Sequence, residues 1–258
     1  MATLRLYLDD PLLLGFRATV AGHGNWDGKP ALLLDRSAFY PEGGGQLGDR
    51  GRIGTATITD VQVDDAGVVH HLYEGEPPPA GTEVDATIDA GRRRLHMALH
   101  TGQHMLSRAL LDVAAAETVS ARLGESGCTI DLGVAAIDDP RVAEAEELAN
   151  AVIDGDVAIR AWVPAPGELA ALPLRRTPKV DRDIRVVAIG EFDVSPCGGT
   201  HCTGSAQVGL IRVTGLERYK GMMRLRFDAG RRARDGLWRE AAALAGLGRD
   251  YTCGPLDV

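Results

Sequence analysis

Short runs of apolar residues, bounded by glycine, aspartate or proline, occupy the first third of the chain. Apolar and polar positions alternate over residues 53–63, and residues 31–34 and 68–73 also have strand character. Typical turn sequences separate these runs: Asp27-Gly28, Asp65-Ala66-Gly67 and Pro77-Pro78-Pro79. Because short strands with frequent turns favour a curled or closed sheet, the pattern predicts a small β-barrel-like domain over residues 1–88.

The spacing of apolar residues changes near residue 90. From residue 95 to residue 110 they recur every three or four positions, which predicts a helix over about residues 90–113. Further strands are predicted over residues 118–123, 128–132, 157–163, 185–189, 208–213 and 222–227, with a turn at 216–221, and further helices over 140–153, 166–172 and 230–247. We therefore expect an α+β domain over residues 89–258, with helices packed on one side of an antiparallel sheet.

The composition is that of a globular protein with a substantial core, since 45% of the 258 residues are hydrophobic. Its apolar runs are far shorter than the roughly 20 residues that a membrane helix needs. The N-terminus has no apolar stretch followed by a small-residue cleavage site. Four cysteines in a chain of this length do not make a disulfide framework. We expect a cytoplasmic protein with no membrane association.

The net charge of −8 argues against indiscriminate nucleic-acid binding but does not exclude RNA. The basic residues are clustered: Arg92-Arg93-Arg94, then Arg175-Arg176 with Lys179, Arg182 and Arg185, then Arg218, Lys220, Arg224 and Arg226, and finally Arg231-Arg232 with Arg234. A cluster of this kind can hold phosphates on an acidic protein. Taken singly, each is more often a solvated face or helix cap.

Two short stretches nearly a hundred residues apart carry metal-ligand chemistry. His100 and His104 stand one turn apart on one face of the predicted helix. Cys197 and His201 have the same spacing, but the intervening glycines indicate a tight loop. Either half alone is a weak signal, because most such pairs are core or surface residues. Together they make one thiolate and three imidazoles, a ligand set that suits Zn2+.

A third stretch is rich in glycine and lies inside the predicted barrel. It runs from Ser37 through Pro41-Glu42 to Gly43-Gly44-Gly45-Gln46. Consecutive glycines allow a backbone to approach a ligand closely and to expose N–H donors. The spacing does not match a Walker or dinucleotide fingerprint, so phosphate binding of those kinds is not expected. Considered alone, the stretch reads as a turn between strands.

In combination and in this order, the three stretches resemble the editing module of alanyl-tRNA synthetases and its free-standing relatives, the AlaX-type alanyl-tRNA editing proteins. The motifs are Ser37-Ala38-Phe39-Tyr40-Pro41-Glu42-Gly43-Gly44-Gly45-Gln46, Arg94-Leu95-His96-Met97-Ala98-Leu99-His100-Thr101-Gly102-Gln103-His104 and Ser195-Pro196-Cys197-Gly198-Gly199-Thr200-His201. The resemblance extends to about residue 230. Because only a few dozen residues precede the first motif, we expect a free-standing protein without an aminoacylation domain. The presence of the Gly-rich stretch points to the longer AlaX subgroup.

The resemblance implies a zinc-dependent hydrolase that removes serine, and perhaps glycine, from mischarged tRNA(Ala). It implies that His100, His104, Cys197 and His201 bind Zn2+. It assigns catalytic roles to Gln46, near the substrate, and to Ser37, at a position associated with recognising the serine hydroxyl. Substrate-binding roles follow for Gly43, Gly44, Gly45, Gly199 and Thr200.

Several neighbouring residues have no assigned role in catalysis. Glu125 and Asp131 are candidate general bases only by their proximity in sequence, and a surface or capping role is favoured for each. His96 is interpreted as a core histidine or as a support of the metal ligands, and Cys202 as a buried spectator. Arg122 stands where relatives often have histidine, so any role of that histidine is missing or changed here.

Two alternatives to a trans-editing hydrolase remain open. One is a non-catalytic RNA-binding module in which zinc only stabilises the fold. The other is a zinc hydrolase that acts on a different aminoacyl-tRNA ester. The Gly-rich stretch favours editing of alanine tRNA, because a structural zinc module has no need of Ser37 or Gln46.

Overall fold

The computed structural model describes residues 2–165, 167–178 and 184–257. The strands are β1 Leu4–Arg5, β2 Gly15–Trp26, β3 Lys29–Leu34, β4 Arg36–Ser37, β5 Gly51–Ile53, β6 Ala56–Val63, β7 Val69–Glu74, β8 Glu83–Ile88, β9 Thr118–Leu123, β10 Cys128–Leu132, β11 Ile159–Trp162, β12 Val186–Ile189, β13 Asp193–Pro196, β14 Ile211–Tyr219 and β15 Met222–Ala229. The helices are α1 Ala90–Ala114, α2 Asp139–Asp154 and α3 Gly230–Tyr251. The predicted α+β class is confirmed.

The N-terminal strands form a closed antiparallel barrel in the order β2-β3-β7-β6-β5-β8. The predicted turn at Asp27-Gly28 joins β2 to β3, and both residues adopt positive φ angles, 47° and 81°. Residues 53–63, predicted as one strand, are two strands that meet at a turn at Gly54 with φ 54°. Leu32, Ile58 and other side chains that alternate along the strands fill the barrel. The predicted barrel-like domain is therefore confirmed as a closed barrel.

Helix α1 lies at the centre of the second half of the chain. Asp89 caps its N-terminus by accepting a hydrogen bond from the Arg92 amide, and the chain leaves the helix at Ala115 in the left-handed conformation. Every residue from 96 to 107 is buried. The helix packs against α2 and against the sheet β14-β15-β10-β9. A long amphipathic helix is thus covered on several sides, which explains why its polar residues are also buried.

The second half contains two sheets where one was expected. The second sheet is antiparallel, in the order β11-β12-β13. Its last strand is followed by residues 197–201, the metal-ligand loop, which carries Cys197 and His201. The turn predicted at 216–221 was wrong, because β14 continues to Tyr219 and turns at Lys220-Gly221 with φ angles of 49° and 79°. The helix predicted at 166–172 is a single 3-10 turn, Leu169–Ala171, and Pro166 lies outside the described residues.

A buried ion pair joins the barrel to α1. Arg93 Nη2 lies 2.5 Å from Asp49 Oδ2, and each side chain is 1% exposed. The same guanidinium donates to the carbonyl oxygens of Pro11 and Ala38, while Asp49 accepts from the Tyr40 amide. The contact fixes the segment that follows the Gly-rich stretch against the start of α1. Along the part of the chain that the structure describes, no helix is long and apolar enough to cross a membrane.

Candidate metal centre and the cleft above it

Four side chains bring their donor atoms to one point. His100 and His104 come from α1, and Cys197 and His201 from the loop after β13. Their ligand atoms all lie within 4.8 Å of one another, and no residue of the four is more than 8% exposed. Cys197 Sγ is 3.4 Å from His100 Nε2 and 3.3 Å from His201 Nε2. The cluster that the spacing predicted is therefore formed, and it can hold a metal ion.

Each imidazole is held at its Nδ1 atom by a different neighbour. Gln46 Oε1 lies 2.7 Å from His100 Nδ1, and Thr101 Oγ1 lies 3.2 Å from His201 Nδ1. His104 Nδ1 is 3.3 Å from Asp193 Oδ2, although this pair is poorly aligned for a hydrogen bond. Metal-binding histidines commonly engage a carbonyl, hydroxyl or carboxylate through the nitrogen that does not bind the metal.

The amide of Gln46 fixes the tautomer of His100. Its Oε1 also accepts from the Thr200 amide at 3.3 Å, and its Nε2 donates to Thr200 Oγ1 at 2.8 Å. Because a backbone N–H can only donate, the oxygen of the amide must face His100. The proton of His100 is then on Nδ1, and Nε2 presents its lone pair to the cluster. The donor set is therefore arranged for a metal ion.

The electrostatics favour a thiolate at Cys197 and a neutral imidazole at His201, whereas at His104 the opposing effect of burial is outweighed by Asp193 and Cys197, which raise the pKa of that histidine. Burial opposes ionisation of Cys197, but the neighbouring His100 and His201 hold the pKa of the thiol well below its usual range. Burial, together with the neighbouring His100, lowers the pKa of His201 to about 3. Burial raises the pKa of Asp193, but His104 and Arg175 outweigh it and bring that pKa to about 2. The deprotonated forms are those that bind metal.

Close packing explains one of the two glycines of the metal-ligand loop, Gly199, whereas a Cβ at Gly198 would meet open space. A Cβ atom at Gly199 would clash with the ring of His100, so only glycine fits there. Arg185, which is buried, donates from Nη1 to the carbonyl oxygens of Cys197 at 3.1 Å and Gly199 at 2.9 Å. The loop is thus fixed from one side by α1 and from the other by a guanidinium at the start of β12.

The Gly-rich stretch forms a turn that packs against β9. Gly43 and Gln46 exchange both backbone hydrogen bonds, and Gly44 and Gly45 have φ angles of 58° and 88°. The Gly45 carbonyl accepts from the Leu123 amide at 2.8 Å, and a Cβ at Gly45 would clash with the backbone of β9. The turn is therefore locked in a position that places Gln46 beside His100.

A cleft of about 920 Å³ opens above the candidate metal centre. Its lining includes His100, Cys197 and Gly199 as well as Gly43 and Gly44 of the Gly-rich turn. The remainder of its lining includes the indole of Trp162 and the guanidiniums of Arg5, Arg176 and Arg185. An adjoining cleft of about 490 Å³ reaches His201 and shares Trp162 and Arg185 with the first. The geometry offers a ligand both aromatic and cationic contacts next to the cluster.

The residues predicted for catalysis and substrate binding divide into four groups. Gly43, Gly44 and Gly199 line the large cleft, whereas Gln46 and Thr200 are completely buried behind it. Gly45 faces β9. Ser37 is completely buried, and its hydroxyl contacts His71 Nε2 at 2.7 Å and the Phe39 amide at 3.1 Å. The roles of these residues in catalysis and substrate binding remain predictions.

Residues that the sequence left without a catalytic role have other partners. The Glu125 carboxylate is 55% exposed and contacts Arg50 and Arg92, each at 2.8 Å. Asp131 contacts Arg224 at 2.6 Å and Ser120 at 2.6 Å. Arg122 lies in β9 opposite Thr129, with its backbone close to Gly45, but it is not among the residues that line the cleft.

His96 and Cys202 lie near the centre but outside the four-donor cluster. Burial and then the charge of Arg92 lower the pKa of His96 to about 4, so this histidine is neutral. The Cys202 amide donates to Thr101 Oγ1 at 3.0 Å, and its thiol is buried. All four cysteines are free.

Sequence reasoning missed Asp193, Arg185 and Thr101. The sequence around Asp193 does indicate a buried polar contact, because a carboxylate between Phe192 and Val194 on a buried strand needs a cationic or hydrogen-bonding partner. Thr101 directly follows His100, but its contact is with His201. Arg185 had been counted in a basic cluster, although its guanidinium is committed to the metal-ligand loop. Lys179 and Arg182 of that cluster lie outside the described residues.

Two family models match the chain in separate regions. Residues 184–227, which include the metal-ligand loop, match the "Threonyl and Alanyl tRNA synthetase second additional domain". Residues 19–92, which include the Gly-rich stretch, match the family "tRNA synthetases class II (A)".

Individual relatives span most of the chain. The alanyl-tRNA editing protein AlaX-L of Pyrococcus horikoshii is 33% identical over 238 residues, which cover 89% of this chain and 58% of the relative. Over most of its length, this chain is similar in sequence to an AlaX-type alanyl-tRNA editing protein. The alanine–tRNA ligase of Methanopyrus kandleri is 35% identical over 90% of this chain and 27% of the ligase, and that of Pyrobaculum neutrophilum is 34% identical over 96% and 30%. The resemblance seen in the motifs is thus confirmed, and this chain spans 58%, 27% and 30% of the lengths of these three proteins, in that order.

Proposed function

We propose that this protein is a trans-editing hydrolase that removes serine from mischarged Ser-tRNA(Ala), with Gly-tRNA(Ala) as a second substrate. The observation that carries the proposal is a four-donor His/Cys centre at the base of a cleft whose other wall is the Gly-rich turn. We also propose that residues 1–88 and 89–258 act as two domains with this cleft at their junction, and that the protein works in the cytoplasm.

His100, His104, Cys197 and His201 would hold Zn2+, which their one-sulfur, three-nitrogen donor set suits. The ion would supply Lewis-acid chemistry for cleavage of the aminoacyl ester. Gln46 keeps His100 in the ligating tautomer, and Arg185 and Thr200 keep the loop in place beside it. These contacts fix the position of the centre relative to the cleft, which is the condition for orienting an ester bond.

The cleft is suited to the terminal nucleotide of a tRNA. Trp162 provides an aromatic face on which a base can stack, and Arg5 and Arg176 provide charge for a phosphate. The backbones of Gly43 and Gly44 approach the same space from the barrel. A nucleotide held between these groups would bring its 3′-terminal ester to His100 and Cys197.

Selectivity for serine requires a polar group that alanine leaves unpaired. Ser37 is the candidate from sequence, and it lies in a buried network with His71. In this position the Ser37 hydroxyl can form a hydrogen bond with the substrate only if it gives up its hydrogen bond to His71. The order of rates on serine, glycine and alanine esters therefore tests Ser37 separately from the metal centre.

One observation favours the alternative of a structural zinc in a non-catalytic RNA-binding module. Four protein ligands are typical of closed, structural sites, whereas catalytic zinc sites keep one position open. The cleft next to the cluster favours catalysis, because a purely structural site has no need of a large opening beside His100 and Cys197.

The deciding experiment measures deacylation of Ser-tRNA(Ala), Gly-tRNA(Ala), Ala-tRNA(Ala) and a mischarged non-alanine tRNA. Zinc-loaded wild type is expected to cleave the serine ester, to spare alanine and to lose activity in the Cys197→Ala variant. If no ester is cleaved while tRNA still binds, the structural alternative is correct. Cleavage only of the non-alanine substrate would support a different aminoacyl ester. Cleavage that survives chelation would contradict the zinc mechanism alone.

A further inference from the structure

A third opening, of about 590 Å³, lies beside the first turns of α1 and α3. It is lined by the backbone at Gly91 and Gly230, by the amide side chain of Gln207, and by Arg94, Arg231 and Arg234. Ala98 also lines it, and Ala98 lies 200° around the helix from His100 at 100° per residue. The opening therefore faces away from the candidate metal centre, on the other side of the same helix.

The lining of this opening is strongly cationic. It contains three arginines and, among the described residues that line it, no aspartate or glutamate. Arg231 has only a long contact of 3.8 Å with Asp235, and both side chains are exposed. By contrast, Arg92 and Arg232 nearby have close carboxylate partners at 2.8 and 2.5 Å. On a chain with a net charge of −8, a local group of weakly paired guanidiniums attracts an anion.

One backbone feature and one aromatic side chain add to this charge. The first turn of α3 contains no acidic residue and no side chain caps this helix, so its N–H groups are left to bind other acceptors, whereas Asp89 caps α1. Trp238, one turn after Arg234, is 62% exposed, and Arg234 lies 5.2 Å from the centre of its ring. An exposed indole next to guanidiniums is typical of surfaces that bind RNA or single strands.

We propose that this arginine surface, defined as Arg94, Arg231, Arg234 and Trp238, binds the sugar-phosphate backbone of the tRNA whose aminoacyl end enters the metal cleft. Arg94 is six residues before His100, which is about 9 Å along the axis of α1. The surface and the cleft are thus close enough for one RNA molecule to contact both. The proposal rests on the proposed function for its substrate, and it adds where the body of that substrate is held.

The test compares Arg231→Gln/Arg234→Gln and Arg94→Gln with the wild type. For Ser-tRNA(Ala), KM is expected to rise about 10-fold in the double variant with kcat unchanged, because phosphate contacts contribute to binding and not to the chemical step. The slope of log affinity against log salt concentration is expected to fall by about one for each arginine removed. For a serine ester of a CCA trinucleotide, which lacks the RNA body, KM is expected to stay at the wild-type value.

The matched control is Arg17→Gln/Arg36→Gln, which removes two exposed arginines, one on barrel strand β2 and one on β4, that have carboxylate partners. It has the same change in net charge, so an equal rise in KM there would show a general field effect and overturn the proposal. An unchanged KM and salt slope in the double variant would also overturn it. Thermal melts establish that each variant is folded.

A binding assay separates this inference from the proposed function. Uncharged tRNA(Ala) is titrated by fluorescence anisotropy, which requires no deacylation. Weaker binding by the double variant supports the arginine surface even if wild type cleaves no ester. Equal binding by wild type and variant overturns the proposal. Inorganic phosphate is also added at the same concentration as the phosphate groups of the tRNA. If it displaces tRNA from the wild type, the surface is a site for a small anion only, and the proposal is overturned.

Discussion

The amide oxygen of Gln46 lies 2.7 Å from Nδ1 of His100, and this contact joins the Gly-rich turn to helix α1. Because the oxygen can only accept, it places the proton of His100 on Nδ1 and turns Nε2 toward Cys197. The Gly-rich turn therefore reaches the candidate metal centre through one of the ligands. Gln46 is a positioning residue in this arrangement, and the loop that carries it is part of the site.

The contact predicts that Gln46→Ala weakens metal binding. Residues that orient a ligand typically contribute 10- to 100-fold in affinity, so the dissociation constant for Zn2+ is expected to rise by about that factor. Gln46→Glu retains an acceptor for His100 and is expected to bind Zn2+ nearly as well as wild type. Competition with a chromophoric chelator measures both.

The control for this comparison is Gln62→Ala, which removes an amide that contacts Glu42 and Asp60 on the barrel. It is expected to leave the affinity for Zn2+ unchanged. If Gln46→Ala binds Zn2+ as tightly as Gln62→Ala, the orienting role of Gln46 is wrong.

The buried pair of Arg93 and Asp49 predicts a strong non-additive effect on stability. Removing one partner of a buried ion pair costs about 3–5 kcal/mol, because the other charge is left without compensation. Asp49→Asn and Arg93→Met are each expected to lower the free energy of unfolding by about this amount. The double variant is expected to lose less than the sum of the two single changes.

Urea unfolding of the four proteins gives the coupling energy from a double-mutant cycle. Arg108→Met and Asp112→Asn provide the comparison, since that pair has a similar distance of 2.8 Å but is about one third exposed. Exposed pairs couple by less than about 1 kcal/mol. Equal coupling in the two cycles would show that burial of the Arg93–Asp49 pair has no special role in joining the barrel to α1.

His71 predicts a dependence of stability on pH. Burial lowers the pKa of this histidine from 6.5 to about 4, and its ring contacts Ser37 and the Leu32 carbonyl. Since the unfolded chain binds a proton more readily than the folded protein, stability is full above pH 6.5 and falls as the pH decreases toward 4. The full effect of this shift is about 3 kcal/mol.

His71→Gln is expected to reduce the loss of stability between pH 6.5 and 4 by about that amount, as measured by urea unfolding at several pH values. Stability of the variant at pH 8 reports separately on the lost packing and hydrogen bonds. His23→Gln changes an exposed histidine of the same barrel and serves as the control. A pH profile of His71→Gln that parallels the wild type would contradict the prediction.

Local patterns predicted those parts of the fold and site that depend on neighbouring residues. The helical repeat placed His100 and His104 on one face, and the glycines after Cys197 indicated a loop. The contact between Gln46 and His100 joins residues that are 54 positions apart in the sequence. The contact between His104 and Asp193 joins α1 to β13, and no local pattern predicts how these two elements pack. The long strand β2 was also missed, because Gly22 and Gly24 interrupt its alternation of apolar and polar residues.

The last prediction concerns the two neighbouring cysteines of the metal-ligand loop. Cys197 contributes its sulfur to the donor cluster, whereas Cys202 lies outside it with its amide bound to Thr101. If Zn2+ binds only the folded protein, it stabilises that state by mass action, by about 2.7 kcal/mol at 100 times its dissociation constant. The melting temperature then rises. This rise is expected in wild type and Cys202→Ala, and it is expected to disappear in Cys197→Ala. Both variants lose one buried thiol, so the difference in response to Zn2+ isolates the ligand role, and an equal response would remove Cys197 from the site.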